Sequence, residues 1–363
     1  MSEIGQMAVD AVRSILRDSC GDAVLTASES GQFPGALWQL LEEAGITLAL
    51  APESCGGAAL PIPEAGLLIR ECACFAAPVP LAETMLATWL LGAADLPTPQ
   101  GPLSVGFVAD AGAATITQLA GEWRVAGSIP AIPWASDVQH VVLLFDTSEG
   151  AIAALLPKEA YISRPGINLA SEPRQQIDVD RHLSSEMVRT LPRRYFALGF
   201  ELGAALRSAQ IAGALQRALE LSVDYTLERK QFGRPIAKFQ AIQHYLAILA
   251  SQAAAAQGAA ELALSAATKS GATVVIAAAK ARASEAATQG AAVAHQVHGA
   301  MGLTKEYQLH RYTQRLWSWR DEFGSEFYWW ERLGRLMLEQ GAERYWQTVC
   351  SVDEVTHFAA QPA

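Results

Sequence analysis

The stretch Glu228-Arg229-Lys230-Gln231-Phe232-Gly233-Arg234-Pro235 decides how the chain is read. A long apolar helical period runs into it from Leu202 through Leu206, Ala209, Ala212, Leu215, Leu219 and Val223, stepping by three or four residues. Gly233 and Pro235 are ordinary helix-stop chemistry, and cations at a helix C-terminus complement its macrodipole. On spacing alone the stretch is a helix end followed by a turn. A second helical period opens at Phe239, Gln240, Ile242 and Tyr245.

Beyond this stretch the bundle continues through the alanine-rich helices at 239–258 and 272–294. Small residues on long helices let neighbouring axes approach closely. Upstream, residues 103–190 read as short strands at Ser104–Val108, Ala114–Leu119, Glu122–Ala126, Val141–Phe145 and Ala151–Leu156. Pro97, Pro99, Gly101 and Pro102 separate them from an N-terminal helical region with a stripe at Leu37, Leu40, Leu41 and Ala44. The expected fold is α+β: an N-terminal helical domain at 1–100, a middle antiparallel β domain at 101–190, and a C-terminal four-helix bundle at 191–363.

Composition narrows the function. The 363 residues are 51% hydrophobic with a net charge of −10, so a large core is available and the basic face that nucleic acid requires is lacking. Five cysteines, Cys20, Cys55, Cys72, Cys74 and Cys350, fit reduced thiols better than a disulfide framework. Charges interrupt every long apolar run, and the start lacks the pattern of a secretory signal, so no membrane span is expected and the expected location is cytoplasmic. His295 and His298 lack an acidic or cysteine partner at ligand spacing, so no metal site is expected.

A second motif follows the first: Gln296-Val297-His298-Gly299-Ala300-Met301-Gly302, then Glu306-Tyr307 and Arg311. Together with Ala51-Pro52-Glu53 before Gly56-Gly57, the two motifs resemble the flavin-dependent acyl-CoA dehydrogenase family nearly end to end. The resemblance implies an FAD shared between two protomers. Arg229 would meet its pyrophosphate, Gln231 and Phe232 would adjoin it, and Gln296, Gly299 and Gly302 would meet the ADP half. A guanidinium fork suits a pyrophosphate, and glycines let backbone N–H groups come close. Ala300 stands where a second glycine is usual in the family.

The family's reaction removes an α-proton from an acyl thioester, and the resemblance puts Glu322 of Asp321-Glu322-Phe323-Gly324-Ser325-Glu326 at the base position. Phe323 replaces a small glycine beside it. Glu201 lies close to the alternative base position that some family members use on the earlier helix.

The strands depart from the family. Val105-Gly106-Phe107-Val108-Ala109-Asp110 stands where a Thr-Glu-Pro…Gly-Ser-Asp run would hold the flavin ring. Ala131 and Pro133 stand where a tryptophan and a threonine would, and proline has no N–H to donate. The combination implies a chain that lends its nucleotide-binding end to a flavin seated in a homologous subunit, in a heteromer of the α2β2 kind that acts on steroid side chains or other bulky acyl-CoA. Electron-transfer flavoprotein would be the acceptor. A self-sufficient homomer using Glu322, a noncatalytic scaffold, and a relative with monooxygenase or nitroalkane oxidase chemistry stay open at this point.

Overall fold

A computed structural model describes residues 1–109, 112, 114–119, 121–269, 272–341 and 343. Cys350 and Asp110 lie outside the described residues. The chain divides into two compact units, one of residues 1–68 and 77–203, the other of residues 69–76 and 204 onward.

The N-terminal helices are α1 (Glu3–Ser19), α2 (Asp22–Glu29), α3 (Gly35–Glu43), α4 (Ile62–Cys74), which is divided between the units after Leu68, and α5 (Leu81–Ala93). Ser2 caps α1 by accepting from the Gly5 N–H at 3.0 Å, and its own hydroxyl donates to Glu64 of α4 at 2.5 Å. Glu64 is thereby held below the ordinary carboxylate range, chiefly by that hydroxyl. α5 is buried almost all round, Glu83, Thr84 and Thr88 included, as its mostly apolar sequence requires.

Among the described residues eight strands follow: β1 (Leu103–Val108), β2 (Ala114–Leu119), β3 (Glu122–Pro133), β4 (His140–Thr147), β5 (Gly150–Pro157), β6 (Tyr161–Arg164), β7 (Arg174–Leu183) and β8 (Val188–Leu191). They form two four-stranded sheets, ordered β1-β4-β5-β8 and β2-β3-β7-β6. The five expected strands are present. The all-antiparallel expectation is corrected at one place, because β1 pairs with β4 in parallel. That pairing is long-range, so no local turn signal announces it. Val125, Ile129, Val141, Leu143, Phe145, Ile177 and Val179 share one core between the sheets. At the edge of this core, Phe107 of β1 stacks edge-on against Phe196 and Phe200, and a Cβ on Gly199 would sit 3.1 Å from its ring.

Helix α6 (Arg194–Glu228) begins in the first unit and supplies the second with its remaining length. A two-residue pair, β9 (Lys230–Gln231) and β10 (Arg234–Pro235), follows, then α7 (Gln240–Ala266), α8 (Ala272–His298), α9 (Leu309–Trp319) and α10 (Glu326–Gln340). α8 is the central member, in contact with α7, α9 and α10. Alanines at 277, 279, 281, 283, 286, 287, 291 and 294 are buried along it. No described helix is long and apolar enough to cross a membrane.

Candidate functional site

At the C-terminal end of α6 the chain leaves the helix and forms a tight hairpin. Gln231 pairs with Arg234, and Phe232-Gly233 make the two-residue loop. Both loop residues have positive φ, 51° and 78°, which is the geometry of a type I′ turn. The Ile236 N–H donates to the Arg229 carbonyl at 2.8 Å and closes the loop. Glycine takes such a φ freely, whereas a phenylalanine in the left-handed region costs on the order of 1–2 kcal/mol. The same Phe232 is 90% exposed. Among the described residues its ring contact is edge-on with Phe239, with centroids 6.1 Å apart.

Arg229 is exposed, and its guanidinium has no hydrogen-bond or ion-pair partner among the described residues. Gln231 is exposed as well. Arg234 behaves differently, lying over the Phe239 ring at 4.4 Å. The hairpin therefore presents two exposed cations, Arg229 and Lys230, together with the Gln231 amide and the Phe232 ring.

The second motif forms the end of α8 and a 3₁₀ turn over Gly299–Leu303. Gln296 and Gly299 are exposed, and Gly299 has φ +58° with open space where a Cβ would stand. Gly302 differs: it is buried, and a Cβ there would come within 2.9 Å of the His298 side chain and 3.2 Å of His295 Nδ1. Its glycine is explained by packing beneath the turn, while Gly299 faces out.

The two motifs are joined through aromatic rings. Tyr225, one helical turn before Arg229, stacks on His298 with ring centroids 4.5 Å apart, and Tyr307 packs against both. The Tyr307 hydroxyl donates to the Leu221 carbonyl at 3.1 Å. His298 is 3% exposed, and burial pushes its imidazole below the ordinary histidine range. His295 is lowered by the same cause; its Nε2 lies 2.9 Å from Thr313 Oγ1 and its ring stacks on Trp317. Tyr225 was not singled out by sequence, although an aromatic one turn ahead of the Arg-Lys pair is the available signal.

The strand end at Ala131–Trp134, in the first unit, has a different character. β3 carries an irregularity between Ile129 and Ile132, and Ala131 there is exposed with φ +57°. Pro133 is buried, and its carbonyl accepts from the Ser104 hydroxyl. The next N–H, of Trp134, donates to the Pro173 carbonyl at 3.2 Å, and the Trp134 ring is buried against Phe33. Pro133 thus has no N–H to offer, and the Trp134 N–H is already satisfied within the first unit.

Glu322, at the expected base position, forms an ion pair with Arg207 of α6, with Nη2 and Oε2 2.7 Å apart. Arg207 is 2% exposed and lies over Trp319 and Phe323. Glu201, the alternative, is buried at 3% exposure in the first part of α6. Arg207 was missed from sequence, yet a lone cation inside the apolar run 202–215 is a legible sign of a buried counter-charge.

The comparisons agree with the fold. Family models described as "Acyl-CoA dehydrogenase, N-terminal domain" and "Acyl-CoA dehydrogenase, C-terminal domain" match residues 2–94 and 194–326. Acyl-CoA dehydrogenase IpdE2 of Mycobacterium tuberculosis is 30% identical over 313 residues, covering 85% of this chain and 90% of that protein. IpdE2 of Mycolicibacterium smegmatis is 29% identical over 324 residues, covering 87% and 93%. The ChsE4-ChsE5 complex of Mycobacterium tuberculosis contains a chain that superposes with a TM-score of 0.83 at 22% identity, covering 94% of this chain and 99% of that one. A Tcur3481-Tcur3483 steroid ACAD variant gives 0.84 at 23% identity, covering 93% and 98%. At these identities the structural likeness speaks for the fold alone. With nearly its whole length matched by relatives of one kind, the chain belongs to the acyl-CoA dehydrogenase family.

Proposed function

We propose that this chain is the cofactor-sharing subunit of a heteromeric, FAD-dependent acyl-CoA dehydrogenase that introduces an α,β double bond into a bulky acyl-CoA. The observation that carries this reading is an asymmetry. The bundle turns Arg229, Gln231, Phe232, Gln296 and Gly299 outward, while at the strand end Pro133 has no N–H to give and the Trp134 N–H is taken by the Pro173 carbonyl. The nucleotide half of FAD fits the first set: a guanidinium for the pyrophosphate, and an open turn at Gly299 for backbone approach. The ring half does not fit this chain's own strands, so it belongs in the β domain of a homologous partner.

FAD, when bound, supplies the acceptor for the β-hydride. This chain's residues grip and orient its nucleotide half, and Phe232 reaches across to the partner, where its exposed ring is covered. Glu322 is engaged by Arg207, so the α-proton goes to a carboxylate of the partner subunit. Two structural neighbours, the ChsE4-ChsE5 complex and the Tcur3481-Tcur3483 steroid ACAD, pair two different chains in their names, which supports an unlike partner, and the second name favours a steroid-type acyl group. Electron-transfer flavoprotein, named in another neighbour of this fold, is the proposed electron acceptor.

The test is Arg229→Ala in the co-purified complex. Flavin sharing requires FAD affinity to fall by about tenfold or more, the loss expected for a charge-assisted contact. Unchanged FAD content with the complex intact would instead indicate a scaffold.

A further inference from the structure

Among the described residues of the helical bundle Arg207, Lys280, Arg311 and Arg315 are buried cations, and the first two converge on the turn Arg320–Ser325 between α9 and α10. Arg207 is 2% exposed, and Lys280 of α8 is fully buried. Arg207 reaches the turn through Glu322 at 2.7 Å, and its guanidinium carbon lies 5.8 Å from the Trp319 ring centre and 5.6 Å from that of Phe323. Lys280 Nζ donates to Ser284 Oγ at 2.9 Å, to the Arg320 carbonyl at 2.8 Å and to the Gly324 carbonyl at 2.9 Å. An ammonium has three protons, and here three acceptors receive them. The Trp329 Nε1–H donates to the Phe323 carbonyl at 3.0 Å, and Ser284 Oγ donates to the Arg320 carbonyl as well.

The turn is held in a conformation it would not choose. Phe323 has φ +53° and Gly324 φ +89°, and a Cβ on Gly324 would lie 2.6 Å from Tyr328 Cδ1. A non-glycine residue in the left-handed region persists only where its surroundings over-determine it. The surroundings here are electrostatic: two buried cations that would each be expensive if left uncompensated.

We propose that Arg207, Lys280 and Glu322 form a buried clamp that fixes the Arg320–Ser325 turn, with Glu322 as the counter-ion of Arg207. Glu322 thus neutralises the guanidinium, and Lys280 ties the turn's carbonyls to α8. This assignment concerns the bundle by itself and does not rest on flavin sharing.

The experiment is a double-mutant cycle on the full chain without any cofactor, read by thermal unfolding and by amide hydrogen exchange over residues 320–325. Glu322→Gln removes the carboxylate that lies 2.7 Å from the buried Arg207 guanidinium, so its Tm is expected to fall by roughly 5–15 °C, with exchange in the turn about tenfold faster or more. Arg207→Met combined with Glu322→Gln removes both charges and is expected to recover most of that loss. A Glu322→Gln variant melting within about 2 °C of the wild type would overturn the clamp. So would a double variant no more stable than Glu322→Gln, including the case in which neither folds. Because no flavin enters the measurement, its failure is distinct from a failure of the Arg229→Ala test.

Discussion

The Tyr225 ring lies on the His298 imidazole with centroids 4.5 Å apart and planes 24° from parallel. This one contact ties the end of α6 to the end of α8, and so ties the hairpin bearing Arg229 to the turn bearing Gly299. Tyr225→Leu keeps apolar volume but removes the stack, which is worth about 0.5–1.5 kcal/mol beyond its buried area. The expected outcome is a modest loss of stability together with a larger loss of FAD from the complex, measured as flavin absorbance per protein. Equal effects on both would mean the stack only stabilises the bundle.

Phe232 separates stability from assembly. Asn-Gly is the preferred pair for a type I′ loop, so Phe232→Asn is expected to stabilise the isolated chain by about 1 kcal/mol. The same change removes the exposed ring offered to the partner and is expected to weaken the complex. Denaturation of the single chain and sedimentation of the pair check the two halves.

His298 and His295 are both held neutral by burial, their affinity for protons below the ordinary histidine value. In the unfolded chain they bind protons as the pH falls through about 6.5, while the folded chain resists until lower pH. Their contribution is therefore present above that value and is lost as the pH drops below it. His298→Gln is expected to flatten the acid limb of the stability curve, measured by urea unfolding between about pH 5 and 8.

Lys280 gives a pH dependence at the other end. Burial, reinforced by Arg207, lowers it to about 7, against the opposing pull of Glu322, Asp321 and Glu326. Between about 7 and 10.5 the unfolded chain binds the proton that the folded chain has released, so stability rises with pH across that window, by at most about 5 kcal/mol. Lys280→Met is expected to remove the rise.

Much of the fold was legible because helices announce themselves locally. The α6 stripe from Leu202 to Val223 and the alanine-rich α7 and α8 carry their period in consecutive residues. β6, β7 and β8 were not read. In β7 the buried positions Gln175, Ile177 and Val179 alternate with Gln176, Asp178 and Asp180, leaving too few apolar residues to stand out. The hairpin and the Gly299 turn were legible as motifs, but only the structure separates outward Gly299 from buried Gly302. The clamp was illegible because it joins residues 207, 280 and 322, which nothing local connects.

The central claim is a borrowed cofactor, and flavin content tests it most directly. The chain should be purified alone and again after co-expression with a homologous acyl-CoA dehydrogenase subunit, and FAD quantified by its visible absorbance in each. The expected result is a colourless single chain and a yellow complex holding one FAD per pair of unlike subunits. A yellow single chain carrying one FAD per protomer would contradict it.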